Sequence, residues 1–365
     1  MSKIISIGTS LPAFKHSQDY ILPYMENIYE LDEDRKKKLQ LFYRFSGIDT
    51  RYSVLHGAEH ESKEASFYPA LGNQTSFPDL ETRMELYNKN AAPLSISAIN
   101  NCMNGYVDKK DITHLITVSC TGMSAPGLDL EIMEAMELPV HTVRTSVNFM
   151  GCYAAVHALK LADAFCQKDE KANVIIVCTE LCTLHLQQKP TMDNFAAGLL
   201  FADGCAAVLV TNNSSKLEGF TIKNFYSEVS FKGKKDMGWE LSSTGFLMTL
   251  SSYIPKLIEE DFSALLNNAL QSNGVKKDEI TAWCMHPGGK KILSAIAESI
   301  NLPDESLTYS YDVLRNYGNM SSPSILFVLK LIIDDIRLTG KKNNKIFGAA
   351  FGPGITMETF LLSDD

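Results

Sequence analysis

The sequence has no long hydrophobic run. No apolar stretch approaches the ~20 residues that a membrane span requires, and residues 1–12 carry one lysine and an apolar run too short for a secretory signal. Positive charge is also scarce, because 34 Lys and Arg residues stand against 43 Asp and Glu, for a formal net charge of −9. Sequence-independent nucleic-acid binding depends on cations that neutralise phosphates. We therefore expect a cytoplasmic protein with neither a membrane span nor a nucleic-acid partner.

Paired cysteine spacings are absent as well. The eight cysteines lie among apolar residues, and Cys178 and Cys182 have no second pair downstream to complete a zinc site. A disulfide framework is not typical of a chain of 365 residues. Most of these cysteines are therefore interpreted as small buried residues, and we expect no metal.

The chain is rich in strands that alternate with helices. With 45% hydrophobic residues it can form a large core. Continuous β-branched runs predict buried strands, and apolar residues at helical spacing predict helices. Predicted strands are residues 3–8, 114–120, 140–147, 173–181, 204–212, 281–285 and both ends of 345–362, and residues 46–54 are predicted as a turn into a strand. Surface helices are predicted within 17–45, and further helices are 80–103 (interrupted near Pro93), 129–137, 153–166, 255–273 and 319–337. The alternation, without a flexible linker, predicts an α/β protein with an N-terminal half, 1–212, packed against a C-terminal half, 213–365.

Cys152 directly follows Gly151 and precedes a strong helix. A helix N-terminus carries roughly half a positive charge and unpaired N–H groups, both of which stabilise a thiolate. Gly151 permits a sharp strand-to-helix turn. These residues alone predict either an activated nucleophile or a buried, inert cysteine at a helix cap.

Two further polar residues stand at the ends of predicted elements. His286 ends a hydrophobic strand before a Pro-Gly-Gly turn, where it could deprotonate a thiol or form a thiolate–imidazolium pair. The alternative is a histidine in a surface turn. Asn319 heads the last predicted helix, either as an N-cap or as an amide donor to a developing oxyanion.

Six short strings are specific as an ordered set. Gly151–Cys152 with its helix, WCMHPGG (283–289), YGNMSS (317–322), FGPG (351–354), SIGTSLP (6–12) and FADG (201–204) resemble the type III polyketide synthases, the chalcone synthase family of the thiolase superfamily, across nearly the whole chain. The resemblance implies a thiolase-like fold of two similar halves, each with a five-stranded sheet, in a five-layered αβαβα sandwich. It also implies a homodimer.

The resemblance implies the chemistry too. Cys152 would take a starter acyl group from a CoA thioester, while His286 and Asn319 would promote decarboxylation of malonyl-CoA and stabilise the enolate. The extended chain would cyclise to a resorcinol, phloroglucinol, pyrone or naphthol. No cofactor is implied beyond the CoA thioesters that serve as substrates.

The same resemblance implies a wall for the substrate cavity. Phe201 matches an aromatic gatekeeper, Met248 takes the place of a second one, and Trp239 replaces a cavity glycine. The peptide before Pro126 is cis in the family. The remaining implied cavity residues are Cys120, Thr121, Ala125, Cys182, His185, Ser321, Gly352, Pro353 and Gly354.

Cations that would bind the CoA phosphates match the family only in part. Leu41 and Phe45 take the places of two of them, which leaves coenzyme A and an acyl carrier protein as alternative carriers. The implied CoA-binding residues are Lys38, Arg44, Lys290 and Lys291.

Three other functions share parts of this pattern. A ketoacyl carrier-protein synthase III would use the same residues for a single condensation, although HPGG and GNMSS favour the polyketide branch. A non-catalytic partner subunit would be expected to lack the nucleophile, whereas Cys152 is present. A cysteine hydrolase would release free acid and form no carbon–carbon bond.

Overall fold

The alternating pattern forms ten helices and thirteen strands in the part of the chain that this computed structural model describes, which is residues 2–29, 31–56, 67–68, 77–212 and 215–364. The helices are α1 Gln18–Ile28, α2 Glu33–Phe45, α3 Leu80–Met103, α4 Leu128–Met136, α5 Ala154–Lys168, α6 Met192–Leu200, α7 Ile254–Asn273, α8 Lys290–Ser299, α9 Thr308–Tyr317 and α10 Ser322–Thr339. The strands are β1 Ser2–Ser10, β2 Phe14–Ser17, β3 Thr50–Ser53, β4 His114–Ser119, β5 Val143–Asn148, β6 Asn173–Leu181, β7 Asp203–Asn212, β8 Phe220–Val229, β9 Met237–Ser242, β10 Gly245–Leu250, β11 Ala282–Met285, β12 Lys345–Gly352 and β13 Thr356–Ser363.

Nine strands form two sheets that are joined along one edge. The first half contributes the order β5-β4-β6-β7-β1, and the second contributes β8-β13-β12-β11. The two meet where β1 pairs with β8 through Lys3–Thr221 and Ile4–Phe220. The implied five strands are present in the first sheet, but the second has four within the described residues. Strands β9 and β10 pair only with each other, because their side chains form a wall of the cavity described below rather than an extension of the sheet.

Three buried clusters separate the two sheets and cover them. The central cluster holds α5 and α10 between the two sheets, and α10 is buried around most of its circumference. A second cluster packs α3 and α4 on the outer face of the first sheet. A third packs α7 and α8 on the outer face of the second. The five-layered αβαβα arrangement is therefore confirmed.

Helix α3 is continuous, although the sequence predicted an interruption near Pro93. A proline inside a helix removes one backbone hydrogen bond. Pro93 lies on the exposed side of α3, where water can satisfy the carbonyl that loses its donor. Its neighbours Ala91 and Leu94 are buried, and their packing maintains the helix through the proline.

The central layer brings the predicted reactive residues together. Cys152 lies in the turn that joins β5 to α5, and Asn319 lies just before α10. Since α5 and α10 are neighbours between the sheets, their N-terminal ends converge. His286 follows β11 of the second sheet. None of the described helices combines the length and hydrophobicity needed to cross a bilayer.

Candidate active site

A cavity of about 180 Å³ lies where the two halves meet. Cys152, His286 and Asn319 all line it. Each side chain comes from a different element, and two of the three are buried, His286 at 2% and Asn319 at 3% exposure. The structure thus places the three predicted reactive groups on the wall of one cavity.

The turn that carries Cys152 depends on glycine. Gly151 has φ +79°, and a Cβ at this position would lie 2.3 Å from Cδ of Pro353. The FGPG turn packs against the same segment, because a Cβ on Gly352 would lie 2.5 Å from Cδ1 of Tyr153. Two of the recognised strings therefore contact each other, and both need glycine for a close backbone approach.

The thiol of Cys152 is not preformed as a thiolate. A single 3-10 turn, Gly151–Tyr153, separates it from the first residue of α5. Burial raises the pKa of the Cys152 thiol to about 11; hydrogen bonding from Ser321 and Asn319 lowers it, and the nearby Glu180 carboxylate raises it. Desolvation is therefore the largest influence on this pKa, and it opposes the stabilisation of the thiolate that we expected from the helix terminus.

His286 is neutral. Burial lowers the pKa of its imidazole to about 3. Within the described residues neither ring nitrogen has a hydrogen-bond partner. Of the two predicted roles, a neutral ring favours deprotonation of the thiol over a thiolate–imidazolium pair. A neutral ring offers one N–H donor and one acceptor, and buried polar atoms of this kind are normally satisfied, which suits a bound thioester.

Asn319 is not the N-cap of α10. The helix begins at Ser322, and the cap residue is Ser321. The amide of Asn319 is held instead by its own hydrogen bonds: Oδ1 accepts from the Ser321 N–H at 2.8 Å, and Nδ2 donates to the Gly288 carbonyl at 3.4 Å. Ser321 has φ +60°, a left-handed conformation that costs free energy in a non-glycine residue. The strained turn fixes the direction of the carboxamide.

Glu180 was not identified from the sequence as a residue of the site. It lies in β6, is fully buried, and burial raises the pKa of its carboxyl to about 7. Its oxygens accept hydrogen bonds from the Cys120 N–H at 2.9 Å, the Thr121 hydroxyl at 2.8 Å and the Ser322 hydroxyl at 2.8 Å. Glu180 thus ties the first half to the start of α10. The available signal was a single acid within a predicted buried strand, residues 173–181.

Most of the implied substrate residues line the cavity. Those that do are Cys120, Thr121, Cys182, His185, Phe201, Trp239, Met248, Ser321 and Pro353. Three do not. Ala125 is exposed on its loop, next to a cis peptide with Pro126 as the resemblance implied. Gly352 packs against the segment of Cys152, and Gly354 lies in the same turn with φ +73°.

Part of the cavity wall is aromatic and is held by hydrogen bonds. His185 stacks on Phe246 with ring centroids 4.2 Å apart. Its Nδ1 accepts from the Phe246 N–H at 3.2 Å, which leaves Nε2 to donate to the Thr121 carbonyl at 2.7 Å. Trp239 donates from Nε1 to the Cys120 carbonyl at 2.6 Å and pairs across the strands with Met248. His185 is therefore a fixed neutral wall residue.

The predicted CoA-binding cations lie outside this wall. Lys38 and Arg44 are exposed on α2, and Lys290 and Lys291 are exposed at the start of α8. On the side of α2, the wall of the cavity consists of residues of α1. These are Tyr20, Ile21, Tyr24 and Met25.

Comparison with known proteins agrees with this geometry. The model for the N-terminal domain of chalcone and stilbene synthases matches residues 1–214, and the model for their C-terminal domain matches residues 226–364. The alpha-pyrone synthesis polyketide synthase-like Pks18 of Mycobacterium tuberculosis is 28% identical over 336 residues, which are 91% of this chain and 83% of the relative.

Solved structures share the whole fold. PKS-I from the brown alga Ectocarpus siliculosus has a TM-score of 0.91 at 24% identity, over 99% of this chain and 98% of that one. The C-terminal type III polyketide synthase domain of Steely1, a type I/III hybrid from Dictyostelium, has a TM-score of 0.87 at 25% identity, over 99% of both chains. Because the two family models together account for nearly the whole sequence, the chain belongs to the chalcone and stilbene synthase family and is a type III polyketide synthase with a thiolase-like fold.

Proposed function

We propose that this polyketide synthase loads an acyl-CoA starter on Cys152 and extends it by decarboxylative Claisen condensation with malonyl-CoA. The product then cyclises to a resorcinol, phloroglucinol, pyrone or naphthol. The observation that supports this proposal is the wall of one cavity, where a thiol, a neutral imidazole and a fixed carboxamide meet. This set can attack a thioester and stabilise an enolate without a separate cofactor.

Loading begins with the protonated thiol. As the sulfur of Cys152 attacks the starter carbonyl, the unpaired His286 ring accepts its proton, and the departing CoA thiolate then takes that proton. The carbonyl oxygen becomes negative in the tetrahedral intermediate. The Nδ2 group of Asn319 supplies a donor for this charge.

Extension uses the same two residues in another role. When malonyl-CoA loses carbon dioxide, the negative charge moves to the thioester oxygen, where the Asn319 amide and the N–H of neutral His286 stabilise it. The enolate carbon attacks the acyl group on Cys152, and the extended chain leaves on CoA. It returns to Cys152 for the next round. Lys290 and Lys291, at the start of α8, are proposed to contact the CoA phosphates.

The test is to separate loading from decarboxylation. Purified protein is incubated with malonyl-CoA and acyl-CoA starters of increasing length, and products are identified by mass spectrometry. Cys152→Ala should lose acyl loading and all product. Asn319→Ala should slow malonyl decarboxylation by roughly 10²–10³-fold and loading less, while Asn316→Ala, an exposed asparagine of α9, should leave both unchanged. Equal loss of both steps in Asn319→Ala would contradict the assigned role.

The proposal includes a homodimer. Strand β5 is the edge of the first sheet and leaves one row of backbone groups unpaired within the described residues. Exposed apolar side chains lie on it and near it: Val143 at 49%, Val140 at 97% and Met123 at 52% exposure. An apolar edge of this kind suits pairing with a second copy. Light scattering should give the dimer mass for the wild type and the monomer mass for Val143→Lys.

A further inference from the structure

Helix α2 has an exposed face with apolar residues to which the proposed reaction gives no role. Leu41 and Phe45 lie one helical turn apart and are 51% and 65% exposed, and Phe42 between them is 36% exposed. The opposite face is buried through Leu39 and Tyr43, which pack in the same cluster as Met25 of α1. Exposed apolar groups clustered on one helix face are typical of an interaction surface.

This face is basic in an acidic protein. Helix α2 contains five Lys and Arg residues against two acids, whereas the whole chain has a net charge of −9. Lys36 and Arg35 form ion pairs with Glu33 and Asp32. The other three cations have no ion pair within the described residues and stand beside the apolar groups. These are Lys37, Lys38 and Arg44.

The helix lies beside two elements that line the cavity. Helix α2 packs on α1, where Gln40 donates to Glu26 at 2.7 Å, and α1 supplies Tyr20 and Tyr24 to the cavity wall. At the other end of α2, a Cβ on Gly47 would lie 3.2 Å from Cδ of Lys290. Lys290 begins α8, whose third residue, Ile292, also lines the cavity.

We propose that this face of α2 is a docking surface for a small acidic acyl carrier protein, which delivers the starter chain to Cys152 on its phosphopantetheine arm. The proposal rests on the proposed function and names a second donor for the loading step. Acidic side chains of the carrier would pair with the free cations, which complements the charge of the surface. Leu41 and Phe45 would supply the apolar contact, a pairing of aromatic and basic groups typical of protein interfaces.

The atoms balance as in loading from coenzyme A. The thioester bond between the acyl group and the phosphopantetheine sulfur breaks, and a thioester to the sulfur of Cys152 forms. The proton of the Cys152 thiol passes to the departing phosphopantetheine thiolate. No oxidant, reductant or other reactant is consumed.

Charge and composition favour a protein over the other occupants of such a surface. Free coenzyme A would use the cations but leave Leu41 and Phe45 in water. An anionic membrane would attract the same cations, yet it would repel a chain whose net charge is −9. A second copy would also be acidic overall, but the exposed edge strand β5 supplies a separate surface for it.

The experiment compares two donors of one acyl chain. Initial rates are measured with decanoyl-CoA and with a purified acidic acyl carrier protein charged with the same decanoyl group, with malonyl-CoA as extender. The variants are Leu41→Glu and Phe45→Glu, which replace exposed apolar side chains and add a negative charge beside the cations. The matched control is Leu338→Glu, an 87% exposed leucine in α10.

We expect Leu41→Glu and Phe45→Glu to lower kcat/KM for the carrier-bound starter by about tenfold or more and to leave the value for decanoyl-CoA within about twofold. Raising the salt concentration should weaken use of the carrier in the wild type more than use of the CoA ester. Leu338→Glu should match the wild type with both donors. Melting temperatures within the range of the control would show that the variants are folded.

Three outcomes would overturn the proposal. If the wild type extends decanoyl-CoA but not the carrier-bound chain, α2 is not a docking surface for the carrier, and the proposed function still stands. Equal losses with both donors would mean that α2 serves the cavity itself. Wild-type protein that sediments with vesicles of phosphatidylglycerol and phosphatidylcholine, and is released by Phe45→Glu, would assign the face to a membrane. A wild type that extends no starter of the CoA series and neither decanoyl donor would contradict the proposed function itself.

Discussion

The guanidinium of Arg51 donates a hydrogen bond to the backbone carbonyl of Phe201 at 2.5 Å. Arg51 is 5% exposed, and its Nε also donates to Gln18 at 3.1 Å. The segment that it holds is paired with the active site, because Phe201 forms a backbone bridge with Asn319. On the same side, a Cβ on Gly318 would lie 2.9 Å from Cγ of Arg51. One buried cation therefore positions both the predicted gatekeeper and the carboxamide.

Arg51→Met should impair condensation through Asn319. The variant keeps most of the volume but loses the donors, so the backbone of residues 200–202 and 318–320 can shift. A displacement of about 1 Å at a catalytic group costs on the order of 100-fold in rate. We expect kcat to fall with little change in KM, and Arg51→Lys to recover part of it.

Acyl loading distinguishes a positioning role of Arg51 from a purely structural one. Loading of Cys152 by a starter thioester, followed by intact-protein mass spectrometry, should be affected less than malonyl decarboxylation in Arg51→Met. A variant in which the two steps and the melting temperature all decline together would assign Arg51 a structural role alone.

The chemistry of Cys152 should follow its raised pKa. Since burial raises that pKa to about 11, the thiolate fraction grows tenfold per pH unit up to that value. Alkylation by iodoacetamide should therefore accelerate steadily from pH 7 to pH 10. Ser321→Ala should slow it further, because hydrogen bonding from Ser321 lowers the pKa. The measurement is the alkylation rate of Cys152, determined by peptide mass spectrometry.

The control is Cys152→Ala, in which any remaining alkylation comes from the other cysteines. A rate that is already constant between pH 6 and pH 8 would require a preformed thiolate, and would restore the interpretation that the helix terminus and His286 activate the sulfur in the free protein.

Trp239 should limit how far the chain extends. Its ring lies on the cavity wall and is anchored by the hydrogen bond from Nε1 to the Cys120 carbonyl. Trp239→Gly removes the ring, so we expect products that contain at least one more malonyl unit. Trp239→Phe keeps much of the volume and loses only the anchor, and its products should match those of the wild type in size. Unchanged product masses in Trp239→Gly would show that another residue sets the length.

The fold was predictable because it follows local patterns. Buried strands of the first half are continuous apolar runs, and β6 and β7 match residues 173–181 and 204–212 closely. The hairpin of β9 and β10 was not predicted as strands. Its burial pattern is mixed, because one side forms the cavity wall and the other faces solvent.

The reactive residues of the candidate site could be predicted from the sequence, but their pKa values and hydrogen-bond partners could not. Each of Cys152, His286 and Asn319 belongs to a string that the sequence displays. The positioning role of Arg51 is not visible there, because its partner Phe201 is 150 positions away. The raised pKa of the Cys152 thiol was not predictable for a related reason. The helix terminus is a local feature, whereas desolvation depends on every segment that surrounds the cavity.

Glu180 should make the protein less stable as pH rises. Its carboxyl has a pKa of about 7 in the folded state, above the ordinary value near 4.3 that we expect in the unfolded chain. The folded state therefore holds the proton more tightly, and this contribution to stability, complete below about pH 4, is lost as pH rises through 7. Between pH 5 and pH 8 the loss is roughly 2–3 kcal/mol.

Glu180→Gln removes the titration and can keep the hydrogen bonds. The amide oxygen can accept from the Cys120 N–H and the Thr121 hydroxyl, and the amide nitrogen can donate to the Ser322 hydroxyl, which reverses its role. The measurement is the free energy of unfolding in urea at pH 5 and pH 8 for both proteins. Asp203, whose pKa burial also raises, to about 6, is present in both and cancels in the comparison. The wild type should lose more stability than the variant over this range. A parallel loss in the two proteins would show that the Glu180 carboxyl is ionised in the folded state at pH 5.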